Sequence, residues 1–335
     1  MEENVEVEVK SHKLLNFFIA FVIIIVTVFL YAKYIETKMF EIKEYRVESN
    51  ILSSNFDGIK IVHFSDLLYK STVDKDDVKK IVNRINELNP DIVVFTGNLV
   101  SNGVKITTED TNMLVSELSK IHATIDKYAI YGENDFIFKD YELIMKNSNF
   151  KILNNTFDEV YYKDNNPLYI VGLPSVKKGS VNLDEAFKFY EDNDRKYIIV
   201  LVSEGKTIKY LDESLYEVDL ILGGYSLNGS VVLPVYGSVY KDSYYYKYYN
   251  PEYKKGITNI YISSGIGTRK SGLRFLNKPS VNFYRLKVTL KDMSLVNKEG
   301  IQKLGAKGIV EIDNQLKIIL GPNSKQLKKY MADLK

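Results

Sequence analysis

The sequence predicts an α/β protein carried behind one N-terminal hydrophobic segment, and three observations support that reading. From Gly58 onward, short apolar runs of strand length alternate with stretches of helical period. Polar or glycine-rich turns come directly after the ends of the apolar runs. Ahead of them all, Leu14 to Ala32 is apolar apart from Asn16, Thr27 and Tyr31. A chain of 335 residues suits one large domain plus a small one. Its apolar content of 45% and charged content of 26% are ordinary for a globular protein. The net charge of +2 provides no basic field, so nucleic acid is not an expected partner. There is no cysteine, which excludes disulfides, thiolate nucleophiles and sulfur ligands and leaves the redox compartment open. Only three histidines are present, and that scarcity limits imidazole chemistry more than any other composition figure.

The N-terminal segment comes first in the chain. Residues 1–13 form a tail, and 14–32 form a candidate transmembrane anchor. At 1.5 Å per residue this span is roughly 28 Å long, close to a bilayer core. A cleaved signal peptide is the rival reading, with Ala32 at the cleavage site, but Leu30 is large for a small-x-small pattern. The expectation is a single-pass protein of the cell membrane. Its sidedness stays undecided. Lys10 and Lys13 precede the span, while Lys33, Lys38, Lys43 and Arg46 come after it, a mild bias toward a cytoplasmic C-terminal side. Residues 33–55 read as a charged connector with one strand, Phe40 to Val47.

The globular elements come next, in chain order. Ile59 to Phe64 is a short strand ending at Ser65-Asp66. Asp74 suits an N-cap, with Asp77 at the N3 position. Val78, Ile81, Val82, Ile85 and Leu88 recur at helical spacing until Asn89-Pro90 stops them. Asp91 to Thr96 is a second strand, Asp110 to His122 a second helix, and Lys127 to Tyr131 a third strand. Later strands are expected at Leu168 to Gly172, Tyr197 to Val202, Asp219 to Leu222 and Asn259 to Ser263. Open α/β sheets bind ligands just outside the strand ends, so the turns at 65–70, 97–102, 132–136, 203–207 and 223–229 form the candidate site.

Those turns resemble the sequence blocks of the calcineurin-like metallophosphoesterases, especially their membrane-associated bacterial subgroup. IVHFSDLLYK is similar to the Asp-x-His block, and NPDIVVFTGNLV to the block with Gly-Asp-Leu-Val. YAIYGENDFIF resembles the block with Gly-Asn-His-Asp, and YIIVLVSEGKT the strand before Ser-His-Glu-Pro. VDLILGGYSLNGSVVLP resembles the block with Gly-His-Thr-His-Gly-Gly, and YISSGIGTRKSGLRFLNKPSV the closing Ser-x-Gly-x-Gly segment and last strand, which overlaps the C-terminal stretch that begins at Val281. The resemblance covers roughly residues 56–287 and implies a β-sandwich flanked by helices.

It also implies a two-metal phosphohydrolase site, but this sequence departs from nearly every ligand. Only Asp66 keeps the family residue. Leu68 stands at the Asp-x-His histidine, Asn98 at the bridging aspartate, Glu133 at the asparagine ligand and Asn134 at the catalytic histidine. Ser203 takes the later single histidine, and Tyr225 and Leu227 take the final pair. No catalytic residue and no dinuclear metal centre are therefore expected. The oxygen donors Asp66, Asn98, Glu133, Asp135 and Glu204 leave room for one hard cation, Mg²⁺ or Ca²⁺, with Mn²⁺ as the alternative. Otherwise these side chains bond the backbone of the turns. The histidines do not fill the gap. His12 precedes the span, His63 points from its strand to the face opposite Asp66, and His122 closes a helix where a cation suits the dipole.

Two further stretches stand out. Tyr240, Tyr244, Tyr245, Tyr246, Tyr248, Tyr249 and Tyr253 crowd a loop that, by the resemblance, lies near the site, where aromatics and lysines can stack on a ligand. Residues 281–335 resemble the enzyme IIB module of glucose-type phosphotransferase systems, a small α+β unit. Its elements are strands at Val281 to Leu290, Lys307 to Ile312 and Gln315 to Leu320, with helices at Asn297 to Leu304 and Ser324 to Leu334. Its phosphocysteine position is Asn282, which is not a nucleophile, and Arg285 matches an anion-contacting arginine. The combined expectation is a membrane-anchored pseudoenzyme that binds or regulates. The alternatives are a phosphohydrolase with a carboxylate-rich metal site, and a sensor of phosphotransferase proteins or a sugar phosphate.

Overall fold

The computed structural model describes residues 2–191, 195–245, 247–289, 294, 296–303, 306–312 and 315–320. In chain order the strands of the first half are Glu41–Ser49 (β1), Lys60–Phe64 (β2), Ile92–Phe95 (β3), Asp126–Ala129 (β4), Lys151–Ile152 (β5), Thr156–Val160 (β6), Leu168–Gly172 (β7) and Ile198–Val202 (β8). The second half adds Leu220–Gly223 (β9), Val232–Leu233 (β10), Gly237–Ser238 (β11), Glu252–Lys255 (β12), Thr258–Ile262 (β13), Ser280–Val288 (β14), Ala306–Ile312 (β15) and Gln315–Leu320 (β16). The α-helices are Glu2–Leu30 (α1), Lys75–Glu87 (α2), Thr108–Leu118 (α3), Tyr141–Asn147 (α4), Leu183–Ala186 (α5), Gly205–Asp212 (α6) and Lys298–Lys303 (α7).

Twelve of the strands build two six-stranded sheets, ordered β1-β14-β2-β3-β4-β5 and β12-β13-β9-β8-β7-β6. The sheets face each other across a core that includes Ile61, Val94 and Tyr128 from the first and Ile199, Leu201 and Leu222 from the second. Helices α2 to α4 cover the outer face of the first sheet, against Val62, Phe64 and Phe95. Helix α6 covers the second, against Val200 and Val202. Strand alternation explains this layering, because Ile61 points inward while Val62 and Phe64 point outward. Since both faces are buried, the strands read as continuous apolar runs rather than as alternation.

Local signals set the helices. In α2 the Asp74 carboxylate accepts from the Asp76 and Asp77 amides, and the Asp77 carboxylate accepts from the Asp74 amide, completing a capping box. Val78, Ile81, Val82 and Ile85 form its buried stripe. Truncating a residue such as Ile85 to alanine costs about 2–5 kcal/mol, from lost transfer energy plus a cavity. The second helix differs from expectation at both ends. A Thr107–Asp110 capping box starts α3 at Thr108, ahead of the expected Asp110, and the helix stops at Leu118. His122 therefore lies beyond the last turn, with its amide bound by Asn86 Oδ1 at 2.9 Å, and the helix-dipole role assigned to it does not hold.

The helical stretch Lys13–Lys38 is long and apolar enough to cross a membrane, and its large apolar side chains from Leu14 to Leu30 are exposed. From Ala32 on, the chain does more than connect. Ala32, Glu36 and Thr37 are buried, and β1 pairs in parallel with β14 from Glu41↔Ser280 to Ser49↔Val288.

The C-terminal expectation needs correction. The strand expected both as the last of the phosphoesterase-like region and as the first of a IIB-like module is β14, which lies inside the first sheet and pairs antiparallel with β2. Asn282 sits opposite His63 there, fully buried, and donates to Tyr284 Oη at 2.9 Å. Arg285 points to the other side, exposed, over the Phe283 ring. The two residues therefore do not meet in one site. Beyond β14 lies the small unit of α7 and the antiparallel pair β15–β16. The helix expected at Ser324 to Leu334 lies outside the described residues.

Candidate functional site

The turns after β2, β3, β4 and β9 converge at one edge of the two sheets, as expected of strand ends in an α/β sheet. They line a cleft of about 630 Å³ together with segments near residues 177, 240 and 270. Asp66, Leu68, Asn98, Glu133, Asn134, Tyr225 and Leu227 all reach it. Ser203 and Glu204 are buried and do not line it.

The backbone here is strained. Asp66, Leu68, Asn98, Tyr225 and Leu227 all have left-handed φ, between 45° and 65°. Each such residue costs of order 1 kcal/mol or more, and Leu gains no local hydrogen bond in return. Glycine is required where the turns touch. A Cβ on Gly224 would lie 1.9 Å from Ser65 Oγ, and one on Gly97 would lie 2.3 Å from the Gly132 nitrogen.

The carboxylates are engaged inside the protein. Asp66 Oδ1 accepts from Asn98 Nδ2 at 2.8 Å. Its Oδ2 accepts from Ser65 Oγ at 2.6 Å and from the Tyr225 amide at 2.7 Å. Burial pushes the Asp66 carboxyl up, against these donors. Asn98 Oδ1 accepts the Asn134 amide at 3.0 Å, so both ends of the Asn98 amide group are in use. Asp135 is a clamp rather than a cleft donor. It accepts from the amides of Asn98, Gly132 and Leu99 at 2.6, 2.8 and 2.8 Å, tying the β3 turn to the β4 turn, and burial raises it to about 6. Glu204 likewise turns inward, accepting from Ser175 Oγ at 2.7 Å and the Lys177 amide at 3.1 Å.

Lys177 and Arg269, with Lys270 beside them, bring positive charge to the cleft. Lys177 Nζ lies 2.8 Å from a Glu133 carboxylate oxygen and donates to Tyr225 Oη at 2.7 Å. The same ammonium lies over the rings of Tyr225 and Tyr244, at 5.0 and 4.8 Å. Arg269 donates to the Tyr225 carbonyl at 2.8 Å and to Tyr245 Oη, and lies 4.9 Å from the Tyr240 ring centre. Sequence reasoning missed both. Lys177 comes after β7, whose end lies at the same edge as those of its parallel neighbours β8 and β9. That strand end was the available signal. Arg269 lay within the closing glycine-rich segment but matched no motif.

These donors do not fit a dinuclear metal centre. Leu68 and Leu227 bring hydrocarbon to the cleft, Tyr225 bonds Lys177 and Asp242, and Glu133 is paired with the ammonium. Among the described residues, no group of three or more His, Cys, Asp or Glu side chains is placed to hold a metal ion. His63 is remote from the cleft chemistry. It is fully buried between the sheets, 2.9 Å from Thr96 Oγ1, and burial lowers it to about 3. His12 falls on α1. Within the tyrosine stretch, Tyr240 lines the cleft, Tyr244 lies under Lys206 as well as Lys177, and Tyr245 and Tyr248 are buried. Tyr246 lies outside the described residues.

Comparison with known proteins agrees with this architecture. The calcineurin-like phosphoesterase family model matches residues 59–224. The metallophosphoesterase YkuE of Bacillus subtilis is 32% identical over 262 residues, 77% of this chain and 90% of that protein. The UDP-2,3-diacylglucosamine pyrophosphatase LpxG of Chlamydia muridarum is 30% identical over 79 residues, 24% of this chain and 23% of that protein. A transmembrane protein with a metallophosphoesterase domain from Danio rerio is 29% identical over 91 residues, 27% of this chain and 20% of that protein. With four layers around two facing sheets, a cleft at their common edge and a relative matched over most of its length, the chain belongs to the calcineurin-like phosphoesterase family.

Proposed function

We propose that this protein is a single-pass, membrane-anchored member of the family whose cleft binds a ligand without hydrolysing it. One observation carries the reading. The Lys177 ammonium bonds Glu133 and Tyr225 together, two residues at positions where the family resemblance places metal ligands. A side-chain cation thus supplies the positive charge that a resident metal would supply, and it is tethered by its own chain. A lysine cannot activate water as a metal does, because it offers no vacant coordination position. The leucines at 68 and 227 add an apolar lining, which suits retention of a ligand better than phosphoryl chemistry.

The test is metal content and turnover of the purified full chain, reconstituted in turn with Mn²⁺, Mg²⁺ and Ca²⁺. No stoichiometric metal and no hydrolysis of phosphomonoesters or phosphodiesters are expected. About one bound cation, with turnover abolished in Asp66→Ala, would overturn the reading in favour of a carboxylate-based hydrolase.

A further inference from the structure

The loop after β9 carries a hairpin, β10–β11, whose sequence is unusual for a surface. From Val231 to Tyr240 it has no charged residue. Its tip is Pro234-Val235-Tyr236, where Val235 is fully exposed and Tyr236 is 72% exposed. Leu233, Val239 and Leu276 add exposed apolar surface around it. Val235 also has φ +68°, an outlier for a β-branched residue. A strained, solvent-facing apolar tip is costly in water and marks an interaction surface.

The hairpin is physically tied to the end of the apolar helix. Its Val232 amide donates to the Phe275 carbonyl at 2.9 Å, and the Phe275 amide donates to the Ser230 carbonyl at 3.1 Å. One residue earlier, the Arg274 amide donates to the Ala32 carbonyl at 2.9 Å. Two residues later, the Asn277 amide donates to Glu36 Oε1 at 2.6 Å. Segment 274–277 therefore holds both the hairpin base and the last turns of the membrane-length helical stretch. The buried guanidinium of Arg274 stiffens that joint through the carbonyls of Ser264, Gly265 and Gly267.

We propose that the β10–β11 hairpin, with Leu276, is a second membrane contact whose tip enters the lipid headgroup region beside α1. The occupant is the bilayer because segment 274–277 fastens the hairpin base to the C-terminal end of the apolar helical stretch. Tyrosines at its edge suit that boundary. Val231, Val239 and Tyr240 also line the cleft, so this docking brings the cleft mouth to the membrane surface and limits its ligands to ones reachable from there. The inference rests on the reading of α1 as a membrane anchor.

The chain has no cysteine, so single cysteines can be introduced without removing others. Full-length Val235→Cys, Ile24→Cys and Leu215→Cys, each carrying an environment-sensitive fluorophore, are reconstituted in liposomes. Quenching by lipid-borne spin labels is compared with quenching by aqueous iodide. Leu215, 93% exposed in the loop before β9, is the aqueous reference. The label at 235 should be quenched by the lipid probe several-fold more than the label at 215, and protected from iodide. Adding Tyr236→Asp should return it to iodide. If the label at 24 is lipid-quenched and that at 235 behaves like 215, the hairpin proposal fails and the anchor stands. If 235 is lipid-quenched and 24 is not, the hairpin contact stands and the spanning helix fails. If neither is lipid-quenched, both readings fall. Protection of 235 from iodide without lipid quenching would mean that protein covers the tip, and would also overturn the proposal.

Discussion

Replacing Lys177 with methionine keeps the side-chain length and removes the ammonium. Two partners then lose their bond, the Glu133 carboxylate at 2.8 Å and Tyr225 Oη at 2.7 Å. Both ends of the ion pair are only about one-fifth exposed, so solvent replaces the lost contacts in part. A hydrogen bond to a charged group contributes about 1.5–3 kcal/mol net, and an exposed ion pair much less. Two ring contacts add about 0.5 kcal/mol each. The expected loss is about 2–3 kcal/mol, or a melting temperature about 5–10 °C lower for a domain of this size. Thermal and urea unfolding of the full chain in detergent would measure it, alongside Glu133→Gln and the double variant. The two substitutions should couple by about 1–2 kcal/mol, because each removes the other's partner. A shift below about 1 °C, or strict additivity, would show that the lysine is not bound where a metal would be, and the argument for a built-in cation would collapse.

The same geometry sets other outcomes. Asp135→Ala leaves three buried backbone amides without their acceptor and should cost about 3–5 kcal/mol in urea unfolding; a loss below about 1 kcal/mol would contradict its role as a clamp. His63 is held neutral, with a folded value near 3 against 6.5 for the free side chain. Its contribution is therefore complete above about pH 6.5 and is lost as pH falls toward 3. Asp135, raised to about 6, works oppositely, since its contribution is full below about pH 4 and is lost as pH rises through 6. The stability difference between wild type and His63→Gln should thus shrink by about 3 kcal/mol between about pH 7 and pH 4.5, and a pH-independent difference would refute the assignment. Arg274→Met removes the donor shared by four carbonyls and should cost about 3–5 kcal/mol, measurable as increased proteolysis of segment 264–277.

Much of the fold was legible because it is written in short-range patterns. β7 matches its apolar run from end to end, and α2 matches its cap and its stripe. The misreadings have physical causes. α3 begins at a Thr–Asp box that was available in the sequence, but its apolar stripe continues past the point where the backbone leaves the helix. β14 alternates little because both of its faces are buried, and its sequence carried two likenesses at once, to the last strand of the phosphoesterase-like region and to the first strand of a IIB-like module; it lies in the first sheet. In the cleft, strand-end logic placed Asp66, Asn98, Glu133 and Tyr225 together correctly. It left out Lys177, although that residue follows the end of β7 at the same edge, and Arg269, which matched no motif. Nor could it show that Asp135 and Glu204 spend their oxygens on backbone amides, since that depends on rotamers and not on order in the chain.

The pairing of β1 with β14 has a consequence for how the molecule is made. β1 leaves the ribosome soon after the hydrophobic helix, yet β14 is its neighbour along its whole length. That neighbour is synthesised only after every other strand of the two large sheets. The first sheet therefore lacks its β14–β1 edge until almost the entire domain exists, and loop closure over that separation slows the final pairing. Throughout this interval β1 has no β14 to receive its amides and carbonyls. A nascent chain arrested before Ser280 would be an open-edged sheet, the species most exposed to misassembly and to quality-control proteases.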